Sequence, residues 1–299
     1  MLITPNSPRI FVKKPLSQAP LVGWQEPYVY VLLIVSLLHL ASFIIWEAKF
    51  ASSPILPFDI WSAPSFLAVV IVVFISLMSF GIYIWYFCIW EFNVRDYTQL
   101  SVGASVMPLT VGGAVAALSA AWLIPRLHAQ YILAIGATSM LISSAILATM
   151  PEKQIYWQVA FPSVVIVSFC PDFIFTAAQI IASGSVRRTE QGIAGSLIGT
   201  LLTYGISTGI GFGGTVEAYT NRGGTDIVRG YRSALYLAVG FAGAALIISL
   251  LFVRIKKDDR EGWDEKDQQT PLESGMQTPL DMESAARGPL PSASVGKEN

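Results

Sequence analysis

Charged residues are scarce in this sequence. Asp, Glu, Lys and Arg make up 13% of its 299 residues, whereas a soluble domain usually carries about 25%. The formal net charge is −1, and Lys and Arg form no concentrated basic patch, so nucleic acid is not an expected partner. The low charge also disfavours a soluble globular fold, because such a fold needs a polar surface.

Cysteine and histidine are too few to build a disulfide framework or a metal site. Cys88 and Cys170 both lie inside apolar runs, which favours buried packing residues over a bridged pair. His39 and His128 are far apart in sequence. No nucleophile–base pair or phosphate-binding loop is found either, so the sequence gives little support to an enzyme and none to a cofactor.

Long apolar blocks are what the sequence does contain, since 53% of its residues are hydrophobic. Each block can cross a hydrocarbon core of about 30 Å as a helix rising about 1.5 Å per residue. No alternating strand pattern is seen, so the sequence predicts an all-α polytopic membrane protein with about seven transmembrane helices. The seven blocks are Tyr28–Trp46, Phe66–Trp90, Ser101–Ile124, Gln130–Thr149, Gln158–Ala182, Ile193–Thr215 and Ala234–Val253.

The blocks divide the chain into four regions. Residues 1–27 are proline-containing, lack the apolar core of a cleavable signal and are predicted to be an irregular leader. Residues 28–64 hold the first span and a proline-rich loop, and residues 65–255 hold a six-helix bundle. Residues 256–299 are charged and then rich in Pro, Ser and Gly, which predicts a disordered tail.

The orientation in the membrane follows from the Lys and Arg content of the loops. With the leader included, the two sides of the membrane carry equal numbers of these residues. Without the leader there is a weak preference for a cytoplasmic C-terminus, which places the N-terminus outside. Lys13 and Lys14 fit that location poorly, and the mismatch suggests that a segment upstream is absent from this sequence.

Asp172 is the only Asp, Glu, Lys or Arg inside any of the seven predicted spans. A charge at the bilayer midplane costs at least about 2.5–3.5 kcal/mol, so its side chain is expected to face the bundle interior. Pro171 leaves the carbonyl of Val167 without its helical donor, which predicts a kink. The alternatives are a proton or substrate site and an Asp that only holds two helices together. One helix face carries Ser168, Asp172, Thr176, Gln179 and Ser183, at spacings of three and four residues.

The next predicted span is rich in glycine. Gly195–Gly199, Gly205–Gly209 and Gly209–Gly213 are GxxxG spacings, which let helix backbones approach closely. Plain packing is one interpretation, and a deformable helix that moves during transport is the other. A second face of this span is polar and is expected to lie across a cavity from Asp172; it carries Ser196, Thr200, Thr203 and Ser207.

Two further polar residues allow a structural interpretation and a functional one. His39 lies in the first span, where a lone His is more typical of a hydrogen-bonded packing residue than of a proton relay. Glu91 follows an aromatic run that ends at Trp90, so an interfacial position is favoured over a role as substrate ligand.

Short motifs between about residues 23 and 256 all resemble those of one protein family. They include Gly23-Trp24, Pro27-Tyr28-Val29, Pro54-Ile55-Leu56-Pro57, Ser79-Phe80-Gly81-Ile82, Thr149-Met150-Pro151, Gln154-Ile155-Tyr156-Trp157, Gln191-Gly192-Ile193-Ala194, Tyr204 and Gly211-Phe212-Gly213-Gly214-Thr215-Val216-Glu217. Together with Asp172 they resemble fungal fourteen-helix drug:proton antiporters of the major facilitator superfamily, in the branch of the aminotriazole-resistance and low-affinity ammonium transporters.

The resemblance implies the C-terminal half of such a transporter: a six-helix half-bundle with one preceding helix. It also implies partners, namely the lipid bilayer, protons, a small molecule or ion, and a complementary N-terminal half. The family usually has Pro at the position of Thr176 and Asn at those of Gly199 and Thr203, so the resemblance names no substrate. The residues expected along the substrate and proton pathway are Ser168, Asp172, Thr176, Gln179, Thr200, Thr203 and Tyr204.

Three functions remain open from the sequence. The first is a multi-pass transporter or half-transporter, expected in the plasma membrane, that exports a small molecule or ion in exchange for protons. The second is a non-transporting or regulatory protein derived from a transporter half. The third, a seven-helix receptor, rests on helix number alone, and the last span, Ala234–Val253, has no lysine for a retinal linkage.

Overall fold

The computed structural model describes residues 66–185 and 191–253, together with scattered positions between 31 and 49. The two continuous ranges form helices and contain no strand. The helices are α1 (Phe66–Asn93), α2 (Gln99–Leu123), α3 (Ala129–Ala148), α4 (Ala160–Val167), α5 (Phe169–Ser185), α6 (Gln191–Thr220) and α7 (Ile227–Phe252).

Six spans in these ranges are long and apolar enough to cross a membrane, because α4 and α5 together make one of them, Ala160–Gly184. The predicted all-α, multi-pass membrane fold is therefore confirmed. The predictions for the leader, the first span, the proline-rich loop and the tail lie almost wholly outside the described residues. His39 is one of the scattered positions, where it is helical and exposed.

Several helices are longer than the apolar blocks that predicted them. The block Phe66–Trp90 continues to Asn93, and the block Ala234–Val253 begins seven residues earlier, at Ile227. At the start of α7 a capping group rather than apolarity sets the end, because the first backbone N–H groups of a helix need acceptors. The side chain of Asp226, for example, accepts a 3.0 Å hydrogen bond from the Arg229 N–H at the start of α7.

The longer helices change the inventory of charges. Asp172 is the only charged residue of the predicted blocks, but four more charged residues lie near the ends of the helices themselves. They are Glu91 in α1, Glu217 in α6, and Arg229 and Arg232 in α7. Asp172 therefore remains the charge closest to the middle of a span, while the ends of the bundle carry charges that the blocks did not include.

Burial divides the bundle into a packed side and an open side. Helix α1 packs against α6 and α7, and α3 packs against α5 and α7, whereas α2 rests mainly on α4 and α5. In the most apolar part of each span, 61% of the residues of α1 and of α3 are buried, but only 17% in α2 and 22% in α6. Helices α2 and α6 therefore present most of their surface away from the described bundle.

The packed side is also joined by buried hydrogen bonds between helices. The hydroxyls of Tyr83 and Ser163 lie 2.7 Å apart, and the Ser143 hydroxyl donates to the Ser163 carbonyl at 2.6 Å. The Ser79 hydroxyl donates to the Ala238 carbonyl of α7 at 2.7 Å. Lipid offers no alternative partners, so these bonds favour one arrangement of α1, α3, α4 and α7.

Candidate functional site

The helix that carries Asp172 is broken one turn before it. Helix α4 ends at Val167, Ser168 lies at the break, and α5 begins at Phe169. The break fits the effect of Pro171, whose missing N–H leaves the Val167 carbonyl without a helical donor. Asp172 thus lies in the first turn of α5, where the helix dipole favours a negative charge.

Asp172 faces helix α2 across a glycine pair. A Cβ atom added at Gly113 would lie 3.4 Å from Asp172 Oδ2, and one at Gly112 would collide with the Ser168 hydroxyl. That hydroxyl donates to the Val165 carbonyl at 2.6 Å. The carboxylate is half-buried and forms no ion pair within the described ranges. Because the two glycines lack side chains, α2 can lie close to a hydroxyl and to an acid that has no ion-pair partner in these ranges.

The other end of the polar face of α5 lies against α6. The Gln179 side-chain amide donates to the Gly195 carbonyl at 3.2 Å, and the Gln191 amide donates to the Ser183 carbonyl at 3.1 Å. Thr176, between the two ends, is half-buried. The structure therefore brings Ser168, Asp172, Thr176 and Gln179 to one face, covered by α2 at one end and by α6 at the other.

An apolar groove of about 890 Å³ runs between α2 and α4 and reaches Phe169, three residues before Asp172. Its volume is within the range of small-molecule sites, about 300–1,000 Å³. Pro108 leaves the carbonyl of Ala104, another lining residue, without its helical donor. The lining is Tyr97, Ser101, Ala104, Ser105, Met107, Pro108, Val111, Gly112, Val115, Tyr156, Trp157, Phe161, Val165 and Phe169.

The polar face of α6 lies on the surface of the described bundle. Thr200 and Thr203 are exposed, and Tyr204 is 66% exposed. The Thr200 hydroxyl bonds within its own helix, to the Ser196 carbonyl at 2.9 Å. No hydrogen bond among the described residues joins this face to α5, and its position across a cavity from Asp172 stays a prediction.

The glycines of α6 fall into two groups. Gly205, Gly209 and Gly213 are buried against α1, where an added Cβ would meet Leu77, the Met78 carbonyl or Tyr86 respectively. Gly195 faces Gln179, whose Oε1 would lie 3.1 Å from an added Cβ. Gly199, expected to pack as well, differs: an added Cβ there would meet nothing within 4 Å. The reason is that α6 turns this residue toward its unpartnered side.

A buried ion pair at the end of α1 was not foreseen from the sequence. Glu91 is fully buried and its Oε1 lies 3.2 Å from Nη1 of Arg95, whose side chain is 6% exposed. Arg95 Nη2 also donates to the Gln154 carbonyl at 2.9 Å. The carboxylate lies inside protein, and its interfacial depth stays a prediction. The four-residue spacing of Glu91 and Arg95 was the available signal.

The loop between α3 and α4, which contains Gln154, also contains the buried Tyr156. The Tyr156 hydroxyl donates to the Ser105 carbonyl of α2 at 2.8 Å. Burial raises the pKa of Tyr156 above its usual value, the nearby carboxylate of Glu91 raises it further, and Arg95 opposes the shift. The hydroxyl therefore keeps its proton at physiological pH and remains a donor.

Comparison with known proteins gives relatives of one kind. No protein-family profile matches the chain. An uncharacterized MFS-type transporter of Schizosaccharomyces pombe is 38% identical over 244 residues, covering 79% of this chain and 45% of the relative. The aminotriazole resistance protein of Saccharomyces cerevisiae is 33% identical (79% and 44%), and efflux pump terJ of Aspergillus terreus is 35% identical (79% and 45%). The chain thus spans a little under half the length of these relatives.

Proposed function

The chain is a homologue of fungal MFS-type transporters and matches a little under half of their length, and we propose that it forms one half of a proton-coupled exporter of small molecules. The observation that carries the proposal is the position of Asp172. It is a half-buried acid near the middle of a span, without an ion-pair partner among the described residues, beside a groove of ligand size. Acids at such positions are typical of proton and substrate pathways.

In the proposed mechanism, Asp172 binds and releases the proton. The carboxyl group is neutral when protonated, which lowers its cost inside the membrane, and charged when it has released the proton. The break at Ser168 and the small residues Gly112 and Gly113 allow the neighbouring backbones to adjust to this change. Ser168, Thr176 and Gln179 supply polar groups along the same face.

The apolar groove is the proposed site for the body of the transported compound. Its lining is mostly apolar and aromatic, with hydroxyl groups concentrated near Tyr97, Ser101 and Tyr156. Such a surface binds an organic molecule better than a small hydrated ion, which would lose its water shell without replacement ligands. We therefore propose an organic compound as the substrate.

The open side is the proposed contact with a complementary half. Helices α2 and α6 are the least buried spans, and α6 exposes Thr200, Thr203 and Tyr204 there. In secondary transporters the substrate site lies between two repeats. These polar residues would then line the pathway where the two halves meet. The whole would be a plasma-membrane protein with a cytoplasmic C-terminus.

Flux measurements in liposomes test the proposal. The liposomes are loaded with labelled 3-amino-1,2,4-triazole and a pH-sensitive dye, and a pH gradient is imposed across their membrane. This compound is chosen because one relative is named for resistance to aminotriazole. We expect coupled movement of compound and protons, which Asp172→Asn abolishes. Asp226→Asn is the matched control, because Asn caps a helix as well as Asp and this residue lies in a loop. Equal coupled flux in wild type and Asp172→Asn would contradict the role of Asp172, and no flux in either would contradict transport by the chain alone.

A further inference from the structure

Helix α2 is the least buried of the spans that the structure describes, with 17% of its most apolar part buried. Its buried residues Ala116 and Ala120 pack into the hydrophobic core. Nearer its start, the Ser105 carbonyl accepts a hydrogen bond from the Tyr156 hydroxyl at 2.8 Å. Tyr156 therefore supplies a directional contact at that end of α2.

Tyr156 belongs to the loop between α3 and α4, and two arginines hold this loop. Arg95 donates to the Gln154 carbonyl at 2.9 Å and to the Met150 sulfur at 3.4 Å. Arg232 of α7 donates to the Met150 carbonyl at 3.1 Å. The two arginines therefore hold the loop backbone at Met150 and at Gln154, shortly before Tyr156.

Glu91 fixes the orientation of Arg95. Its side chain pairs with the Arg95 guanidinium at 3.2 Å, and its backbone carbonyl accepts the Tyr97 N–H at 3.0 Å. Asp96 takes the left-handed conformation (φ 53°) that turns the chain between them. Tyr97 and Tyr156 both line the groove. Tyr97 is bonded to the Glu91 backbone, and Tyr156 belongs to the loop that Arg95 holds.

From these contacts we propose that Glu91, Arg95 and Tyr156 are positioning residues, which set the distance of α2 from α4 and so the width of the groove beside Asp172. Glu91 orients Arg95, Arg95 fixes the loop, and the Tyr156 hydroxyl transmits the loop position to Ser105. The consequence for transport rests on the proposed function, whereas the consequence for the position of α2 does not.

A distance measurement tests the position of α2 directly. Spin labels are placed in the full chain at Leu118 of α2 and Tyr236 of α7, both exposed, after replacing Cys88 and Cys170 with Ser and Ala. Tyr156→Phe removes the hydroxyl alone and should shift or broaden the Leu118–Tyr236 distance by about 2 Å, the usual size of helix displacements. Arg95→Gln should give a change of the same kind.

Two controls make the outcome specific. Labels at Ile142 of α3 and Tyr236 should keep their distance in both variants, because α3 and α7 pack against each other. Tyr219→Phe removes a hydroxyl from a side chain that is 74% exposed and should change neither distance. An unchanged Leu118–Tyr236 distribution in Tyr156→Phe overturns the proposal, and so does an equal change in both label pairs, which would mean general loosening.

The flux assay then separates this inference from the proposed function. If wild type carries the labelled compound, Tyr156→Phe should lower its transport about threefold or more while Tyr219→Phe leaves it unchanged; a moved α2 with normal transport would overturn the effect on the groove. If wild type carries nothing, the proposed function fails, but the distance result still decides whether these residues position α2.

Discussion

Two of the close glycine contacts between the described helices differ in what the glycines face. At the α1–α6 contact, Gly205 and Gly209 of α6 meet the backbone of α1, and Gly81 of α1 meets the Ile206 carbonyl, 2.5 Å from an added Cβ. At the α2–α5 contact, Gly112 and Gly113 face side chains, a hydroxyl and a carboxylate. Backbone therefore packs on backbone at the α1–α6 contact, whereas the α2–α5 contact contains polar side chains that can rotate.

The difference separates a structural use of glycine from one suited to function. Backbone atoms at the α1–α6 contact cannot move without moving a helix, so this contact is fixed. The Ser168 and Asp172 side chains can rotate, so the α2–α5 contact tolerates change. Sequence spacing does not distinguish the two, because GxxxG describes the glycines and not what they face.

The largest expected effect is on the fixed contact. In Gly209→Ala the new Cβ collides with the Met78 carbonyl and its neighbouring backbone, so we expect a loss of about 3 kcal/mol in the free energy of unfolding. Gly199→Ala, on the same helix with open space around it, is the matched control and should be neutral or stabilise by up to about 1 kcal/mol. Thermal unfolding, followed by labelling of the buried Cys170 thiol with a maleimide dye, measures both. Equal stability of the two variants would show that close backbone approach at Gly209 does not hold the α1–α6 contact.

A smaller effect is expected where a hydrogen bond closes the α1–α6 contact. The Tyr86 hydroxyl donates to Glu217 Oε2 at 2.7 Å. Tyr86→Phe leaves the carboxylate without this donor and should lower the free energy of unfolding by about 1.5–3 kcal/mol. Tyr236→Phe, on an exposed side chain of α7, should leave it unchanged. Refolding curves in denaturant compare the two, and no loss in Tyr86→Phe would show that the contact does not need this bond.

The smallest effect on stability is expected at the adjustable contact. In Gly113→Ala the new methyl group would lie 3.4 Å from Asp172 Oδ2, an ordinary contact. The free energy of unfolding should change by less than about 1 kcal/mol, since the helix propensity of Ala offsets the crowding. If Asp172 carries protons, coupled flux should nevertheless fall relative to Gly199→Ala. A large stability loss with normal flux would reverse the assignment of the two contacts.

Parts of the site could be read from the sequence because they depend on local spacing. Pro171 predicted a break near Asp172, and the break is found at Ser168. The spacing of Ser168, Asp172, Thr176 and Gln179 predicted a shared face, since residues three and four apart stack along a helix. The position of the α6 polar face relative to Asp172 stays a prediction, because spacing gives a face but not the direction in which tertiary packing turns it.

The buried Glu91 shows the same limit. Its place after an aromatic run fits a membrane interface, yet the carboxylate is enclosed because Arg95, the α3–α4 loop and α7 converge on that end of the bundle. Burial of a charge requires a partner, and here the partner Arg95 is itself held by residues 55 and 59 positions further along the chain. Only the folded chain brings them together.

The sequence by itself determined that this chain forms membrane-spanning helices, because long apolar segments in lipid must satisfy their backbone groups internally. It also determined that Asp172 is exceptional, because a charge is costly there. The tertiary structure alone decided which glycines close a contact and which leave space, where the groove lies, and how an ion pair at the end of α1 is connected to the placement of α2. These depend on which surfaces meet, and that is a property of the packed bundle rather than of any one helix.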